Sequence, residues 1–282
     1  MVSVGRSGFT LIEAIVSLVI SSALVGLVST VFLVQTDFYG RQVQRTVAQD
    51  NARSVTELVA TELRTTMKGG LLVANDTQLV VRSPIKLAAV CALQSVFTHV
   101  FYEGGQTELD TAEMSGVALY DSATSSWSYG ATDYASLDQP GENPEQKCGA
   151  VAADTSGGEG HFNTLKRLKQ VTGLDPVVGG LVMFYRETEF VLTESTFQPG
   201  TVGLYRGTYG ETLVEFASGM DPTAQFLYRT GGTAYTPSVS AYALFTVDAV
   251  RFVAATRVRA QSGGGNDVTA GWSVNVPLRN VN

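Results

Sequence analysis

The sequence predicts an α+β chain: one long N-terminal α-helix packed on a head made of an antiparallel β-sheet. Three observations predict it. Residues 14–36 are 23 consecutive positions without a charge, most of them Val, Leu, Ile, Ala or Phe. Residues 37–68 continue with apolar side chains three and four positions apart. Beyond Gly70 the pattern changes to short β-like runs separated by Gly, Asp, Asn and Ser.

Composition narrows the classes of function. The chain has 282 residues, 19 basic and 26 acidic, a net charge of −7, and 44% hydrophobic residues. That excludes a disordered tail, a collagen and a small disulfide scaffold. The acidic balance argues against a general nucleic-acid binder. Two histidines and two cysteines leave little material for a zinc site. The charge is uneven: residues 103–159 hold eleven acidic side chains and one basic, Lys147, so this stretch carries −10 and the rest +3. Its Ser, Thr, Gly and Ala content reads as surface loops and short strands, an insertion on an ordinary domain.

The first element justifies itself by length. About 20 apolar residues in a helix cross a bilayer core, so residues 9–36 form a membrane-spanning half. Ser17, Ser21, Ser22, Ser29 and Thr30 dilute it, but hydroxyls bond back to helix carbonyls and are tolerated there. A cleaved secretory signal is the plain alternative. Ser21-Ser22-Ala23 is a weak match to its cleavage site, yet the apolar run continues and no proline occurs in residues 1–83. In the amphipathic half, residues 37–68, Ala48, Ala52, Val55, Val59 and Leu63 share a face with Leu58 beside them. Arg41, Arg45, Gln49, Arg53, Glu57 and Arg64 occupy the others. Gly69-Gly70 is the expected stop. Sixty residues would run about 90 Å if straight.

One charge lies at the start of the apolar run, Glu13. A carboxylate inside a bilayer costs about 2.5–3.5 kcal/mol on insertion scales, which makes it a functional candidate; close to the headgroups it stays wet. Gly8-Phe9-Thr10-Leu11-Ile12-Glu13 follows a short basic leader, and an apolar helix follows it. This arrangement resembles the prepilin motif of type IV pilins and of type II secretion pseudopilins. The resemblance implies removal of a leader, residues 1–8, by a prepilin peptidase that cuts between Gly8 and Phe9. It implies N-methylation of Phe9 and subunit assembly through Glu13, which pairs with the Phe9-type amine of a neighbouring subunit. It also implies an inner-membrane location with a periplasmic head, then a pilus or pseudopilus filament. The implied partners are other minor and major pilins or pseudopilins, an inner-membrane assembly platform and an ATPase. The chain lacks the helix-breaking proline that many pilins carry in this half. A plain signal anchor on an exported domain is the rival reading of the same span.

The head spans residues 69–282. Its expected strands are 79–81, 116–120 with 126–129, 181–185, 190–193, 202–205, 213–216 and 225–228; residues 162–171 suggest a short helix, with Phe162, Leu165 and Leu168 three apart. The clearest pair is C-terminal. Residues 250–258 carry apolar side chains at mostly even positions, with Arg251, Arg257 and Arg259 opposite, and Trp272, Val274, Val276 and Leu278 alternate with Ser273, Asn275, Pro277 and Arg279. Residues 262–267 fit the loop between them, and Pro277 marks an edge or a strand end. The buried face should cover the amphipathic helix. The ending Val276-Pro277-Leu278-Arg279-Asn280 is similar to that of W-type minor pilins (PilW-like), and J-type pseudopilins have a similar two-strand end. The Leu204-Tyr205-Arg206, Leu213-Val214-Glu215-Phe216 and Gln225-Phe226-Leu227-Tyr228-Arg229 runs are similar to the middle of both groups.

Chemistry is sparse. Cys91 and Cys148 are the only cysteines; a bridge between them closes a separation of 57 residues and is worth about 4 kcal/mol. Two buried thiols are the alternative. His161, in a glycine loop beside Glu159, and Asn266-Asp267 are too few ligands for a metal or calcium site; His99 lies in an apolar run and reads as core or edge. No phosphate-binding loop, nucleophile elbow, His-Glu-x-x-His or Cys-x-x-Cys is present. No enzyme activity and no cofactor are expected. The functional reading is a minor pilin that primes or caps a type IV pilus. The alternatives are a J-type minor pseudopilin, and an adhesin or DNA-binding minor pilin at a filament tip, for which the three arginines offer a small basic face.

Overall fold

A computed structural model describes residues 10–93, 97–102, 114–131, 164–169, 175–258 and 268–278. Helix α1, Leu11–Thr65, runs unbroken for 55 residues through Gly26 and Gly40. Its end comes three residues before the expected one. The hydroxyls of Thr65 and Thr66 both donate to the Glu62 carbonyl (2.7 and 3.2 Å), competing with the helix ladder, and Thr66 turns extended. The Met67–Gly70 turn follows, closed by the Gly70 N–H on the Met67 carbonyl at 2.9 Å. Gly69 takes φ +81° there, which favours glycine.

The strands form one branched antiparallel sheet: β1 (Leu71–Ala74), β2 (Gln78–Leu93), β3 (Phe97–Tyr102), β4 (Gly116–Asp121), β5 (Ser126–Ala131), β6 (Thr164–Lys169), β7 (Leu181–Glu194), β8 (Val202–Thr208), β9 (Val214–Met220), β10 (Gln225–Arg229), β11 (Ala249–Val258) and β12 (Val268–Pro277). A 3-10 helix, Ala241–Thr246, precedes β11. The main order is β10-β11-β9-β8-β7-β2-β3-β6; β1 joins β2, β12 joins β11, and the β4–β5 hairpin joins β7.

Two elements outgrow their sequence signals. β2 runs far past residue 81 because a register shift between Pro84 and Lys86 absorbs the missing proline donor. β7 joins two expected runs across Arg186-Glu187-Thr188-Glu189. Those polar residues find cross-strand partners: Arg82 Nε pairs with Glu187 (3.2 Å), and Gln78 Nε2 donates to Glu189 (2.6 Å). The expected helix over 162–171 is corrected: residues Thr164–Lys169 are a strand, paired antiparallel with β3. A spacing of three over so short a run is weak, and tertiary pairing overrides it; Phe162 lies outside the described residues.

The helix and the C-terminal strands meet as the alternation requires. Ala48, Ala52, Val55, Val59 and Leu63 are buried, with Thr56 and Ala60 added to the face. Val250, Phe252, Ala254, Thr256, Val276 and Leu278 are buried too, and the Thr256 hydroxyl donates to the Ala48 carbonyl at 2.6 Å. Trp272 is 48% exposed, unlike Val276 and Leu278 of its expected face. Leu79, Val81, Phe190, Leu204 and Phe226 complete this core. A second cluster, Ala88, Val90, Val100, Val117, Val182 and Phe184, fills the part of the sheet away from the helix. His99 is fully buried on β3, opposite Ala92.

Helix and sheet are also pinned by charge. Glu62, 16% exposed, accepts from Arg206 of β8 and from Ser83 of β2 (2.9 Å), with Arg186 of β7 at 4.0 Å. Pairing repays the desolvation of these charges, and three strands thereby fix the rotation of one helix face. At Gly116 a Cβ would lie 2.2 Å from the Tyr185 hydroxyl, which crosses here to donate to the Gly130 carbonyl at 3.1 Å.

On β9, Glu215 accepts from the Ser195 and Thr196 hydroxyls, the Thr196 N–H (2.8 Å) and the Tyr205 hydroxyl (3.0 Å). Burial works to raise its carboxyl, but these donors outweigh burial and bring it from 4.5 down to about 2. A lowered carboxyl contributes fully above its unfolded value and loses that contribution as pH falls through its folded value. Acid unfolding followed by circular dichroism should therefore show wild type losing its advantage over Glu215→Gln as pH falls from 4.5 to about 2. A stability difference that stays constant across that window would contradict this account of the Glu215 carboxyl.

Candidate assembly site at the helix N-terminus

The first turn of α1 is organised by two side chains. Thr10 is the N-cap, extended at φ −78° and ψ 149°. Its hydroxyl oxygen accepts from the Glu13 N–H at 3.4 Å. Glu13 reaches back: its Oε2 accepts from the Thr10 N–H (3.0 Å) and from the Thr10 hydroxyl (3.0 Å). This is a capping box, which satisfies two of the donors that a helix start leaves open. A carboxylate in the first turn is also favoured by the helix dipole. Glu13 Oε1 takes part in no hydrogen bond among the described residues.

The site thus does two jobs with one residue. By sequence Glu13 is a charge that needs a partner from another chain; the structure adds a partner within the chain, Thr10. The signal was available, since Thr-x-x-Glu ahead of an apolar run is the capping-box pattern. Gly8 and Phe9 lie outside the described residues.

Above this turn the helix has no cover. From Leu11 to Val47 every residue except the half-buried Gln44 is exposed. Fifteen large apolar side chains between Leu11 and Val34 are each at least half exposed. Three of the segment's hydroxyls are closed internally: Ser22 donates to the Val19 carbonyl (2.9 Å), Thr30 to Gly26 (2.7 Å) and Thr36 to Phe32 (2.9 Å). The helix is long and apolar enough to cross a membrane.

The comparisons bear on this same stretch. Residues 5–29 match the family model described as the prokaryotic N-terminal methylation motif. The methylation motif covers Gly8, Phe9, Glu13 and the first half of the apolar run, and it supports a type IV pilin- or pseudopilin-like chain that assembles with other pilins. The family that carries this motif is structural, not enzymatic. No curated protein and no solved structure matches the chain.

Other expected sites fare unevenly. Cys91, half-buried on β2, is disulfide-bonded; Cys148 lies outside the described residues. His161, Arg259, residues 262–267 and most of the acidic stretch lie outside them as well, but its part 114–131 forms the β4–β5 hairpin. Among the described residues, no group of three or more His, Cys, Asp or Glu stands where it could hold a metal ion. The basic face is spoken for: Arg257 pairs with Asp221 at 3.2 Å, and Arg251 lies 4.0 Å from the centre of the Tyr235 ring.

Proposed function

We propose that this chain is a minor pilin that primes or caps assembly of a type IV pilus. The observation that carries the reading is the methylation motif at residues 5–29, at the head of a helix whose residues Leu11 to Val43 are all exposed. In this reading a prepilin peptidase cuts between Gly8 and Phe9, and Phe9 is methylated. The apolar half holds the chain in the inner membrane as a single pass, with the head in the periplasm. Extraction into a filament by the assembly platform and its ATPase then replaces lipid by neighbouring helices.

Glu13 sets the register of that exchange. Its Oε2 is engaged by Thr10, leaving Oε1 as an acceptor for the Phe9 amine of an adjacent minor or major pilin. A paired charge in a low-dielectric surrounding is far less costly than a lone one, so mismatched registers are disfavoured. The large head of residues 69–282 suits contacts with other minor pilins. A J-type minor pseudopilin of type II secretion is the second reading, supported by the two C-terminal strands against the helix. A DNA-binding role for the arginine face is weakened by the partners of Arg251 and Arg257.

Two outcomes test the reading. Glu13→Ala should insert in the membrane and lose its leader as wild type does, yet enter filaments or minor-pilin complexes at least tenfold less, measured by co-purification; undiminished co-assembly would contradict it. We also propose that Cys91 bonds to Cys148, since the chain has no third cysteine. Thiol labelling of the unfolded full chain should then modify both cysteines only after reduction, whereas labelling of both without reductant would exclude the bridge.

A further inference from the structure

The α1–β1 turn, the β4–β5 hairpin and the 3-10 helix enclose a cleft of about 560 Å3. That lies within the size range of small-ligand sites. Tyr120 and Trp127 face each other across the hairpin, with ring centroids 5.2 Å apart and planes at 54°. Phe245, 63% exposed on the 3-10 helix, adds a third ring. The tip of the hairpin contributes Thr124, Ser125 and Ser126; the Thr124 hydroxyl bonds to the Asp121 carboxylate and to the Ser126 hydroxyl, each at 2.8 Å. Among the described residues, no Val, Leu, Ile or Met lines the cleft.

Three further features mark the place. The indole N–H of Trp127 is buried and has no hydrogen-bond partner among the described residues; a buried donor of this kind calls for an explanation. Ser125 has φ +50°, the only positive value for a non-glycine among the described residues, so the chain holds a disfavoured conformation at the cleft's rim. Among the described residues, Lys68 is the one charged residue of the lining, and it has no ion-pair partner. In a chain of net charge −7 that cation is notable.

We infer that this cleft binds an acidic saccharide. Ring faces set beside hydroxyls match the two characters of a pyranose, an apolar C–H face and a rim of hydroxyl groups. Lys68 supplies the countercharge for a carboxylate on the sugar. A protein partner would call for a contact of roughly 20–30 residues a side, far broader than the lining of this cleft. The inference does not depend on the filament reading: a head with this cleft binds sugar whether it stands on a pilus, a pseudopilus or a membrane anchor.

The test uses the full-length chain in a detergent without a sugar headgroup, on an array of uronate- and sialate-containing oligosaccharides with neutral counterparts. Wild type should retain acidic members and not their neutral counterparts. Lys68→Met and Trp127→Phe should each weaken that retention about tenfold with unchanged thermal melting, as expected when a central contact is removed. Lys68 is only half-buried and holds no ion pair among the described residues, and Trp127→Phe keeps a ring in place, so folding survives in at least one variant. With Trp272→Phe, Trp127 becomes the sole indole, and its emission should shift saturably with the retained oligosaccharide. Absence of acidic glycans from the retained set, equal retention by both variants, or a photo-crosslinker at Phe245 that captures a defined protein in place of glycan would each overturn the inference.

Discussion

The rest of the structure depends on an apolar half-helix with nothing to pack against. Fifteen large apolar side chains lie open between Leu11 and Val34, and covering each is worth about 1.5–3 kcal/mol. The sum is tens of kcal/mol. Against it stands one carboxylate, at about 3 kcal/mol on insertion scales. The apolar term wins by a wide margin, so this segment is covered by lipid or by other helices at every stage. Glu13 does not decide whether the segment is covered. In the proposed assembly it sets the register, because its charge is satisfied in few arrangements.

The lower half of the same helix obeys the opposite rule. From Ala48 to Leu63 one face belongs to the head, and small residues at Ala48, Ala52 and Ala60 let strands β11 and β12 approach the helix backbone. Glu62 then locks rotation through Arg206, Arg186 and Ser83 on three strands. A single unbroken helix therefore links an uncovered apolar surface at one end to a head at the other. Whatever docks the first part sets the orientation of the second, including the cleft beside Lys68 and Trp127.

Much of this was legible in the residues because each strong element has a period that only one structure satisfies. The uncharged run of residues 14–36, the face from Ala48 to Leu63 and the alternation of residues 250–258 with 272–278 each leave little choice. The failures occur where tertiary partners outweigh local pattern. Arg186 to Glu189 looked like a break and is strand, because Arg82 and Gln78 await it on β2. Residues 164–169 looked helical and are strand, because β3 needs a neighbour. The reciprocal Thr10–Glu13 contact was readable and was overlooked in favour of a role between chains. Glu62 could not be singled out, since nothing in its neighbours along the chain points to Arg206, 144 positions away. The cleft is built from three separate segments and leaves no local signal at all.

The central claim is that the uncovered helix enters assemblies as a processed chain. Mass spectrometry of the N-terminal peptide, taken from protein recovered in filament or complex fractions, tests it most directly. The account predicts a chain of 274 residues starting at N-methylated Phe9, the eight leader residues being gone from the 282 of the full sequence. Assembled protein that still begins at Met1 would contradict it.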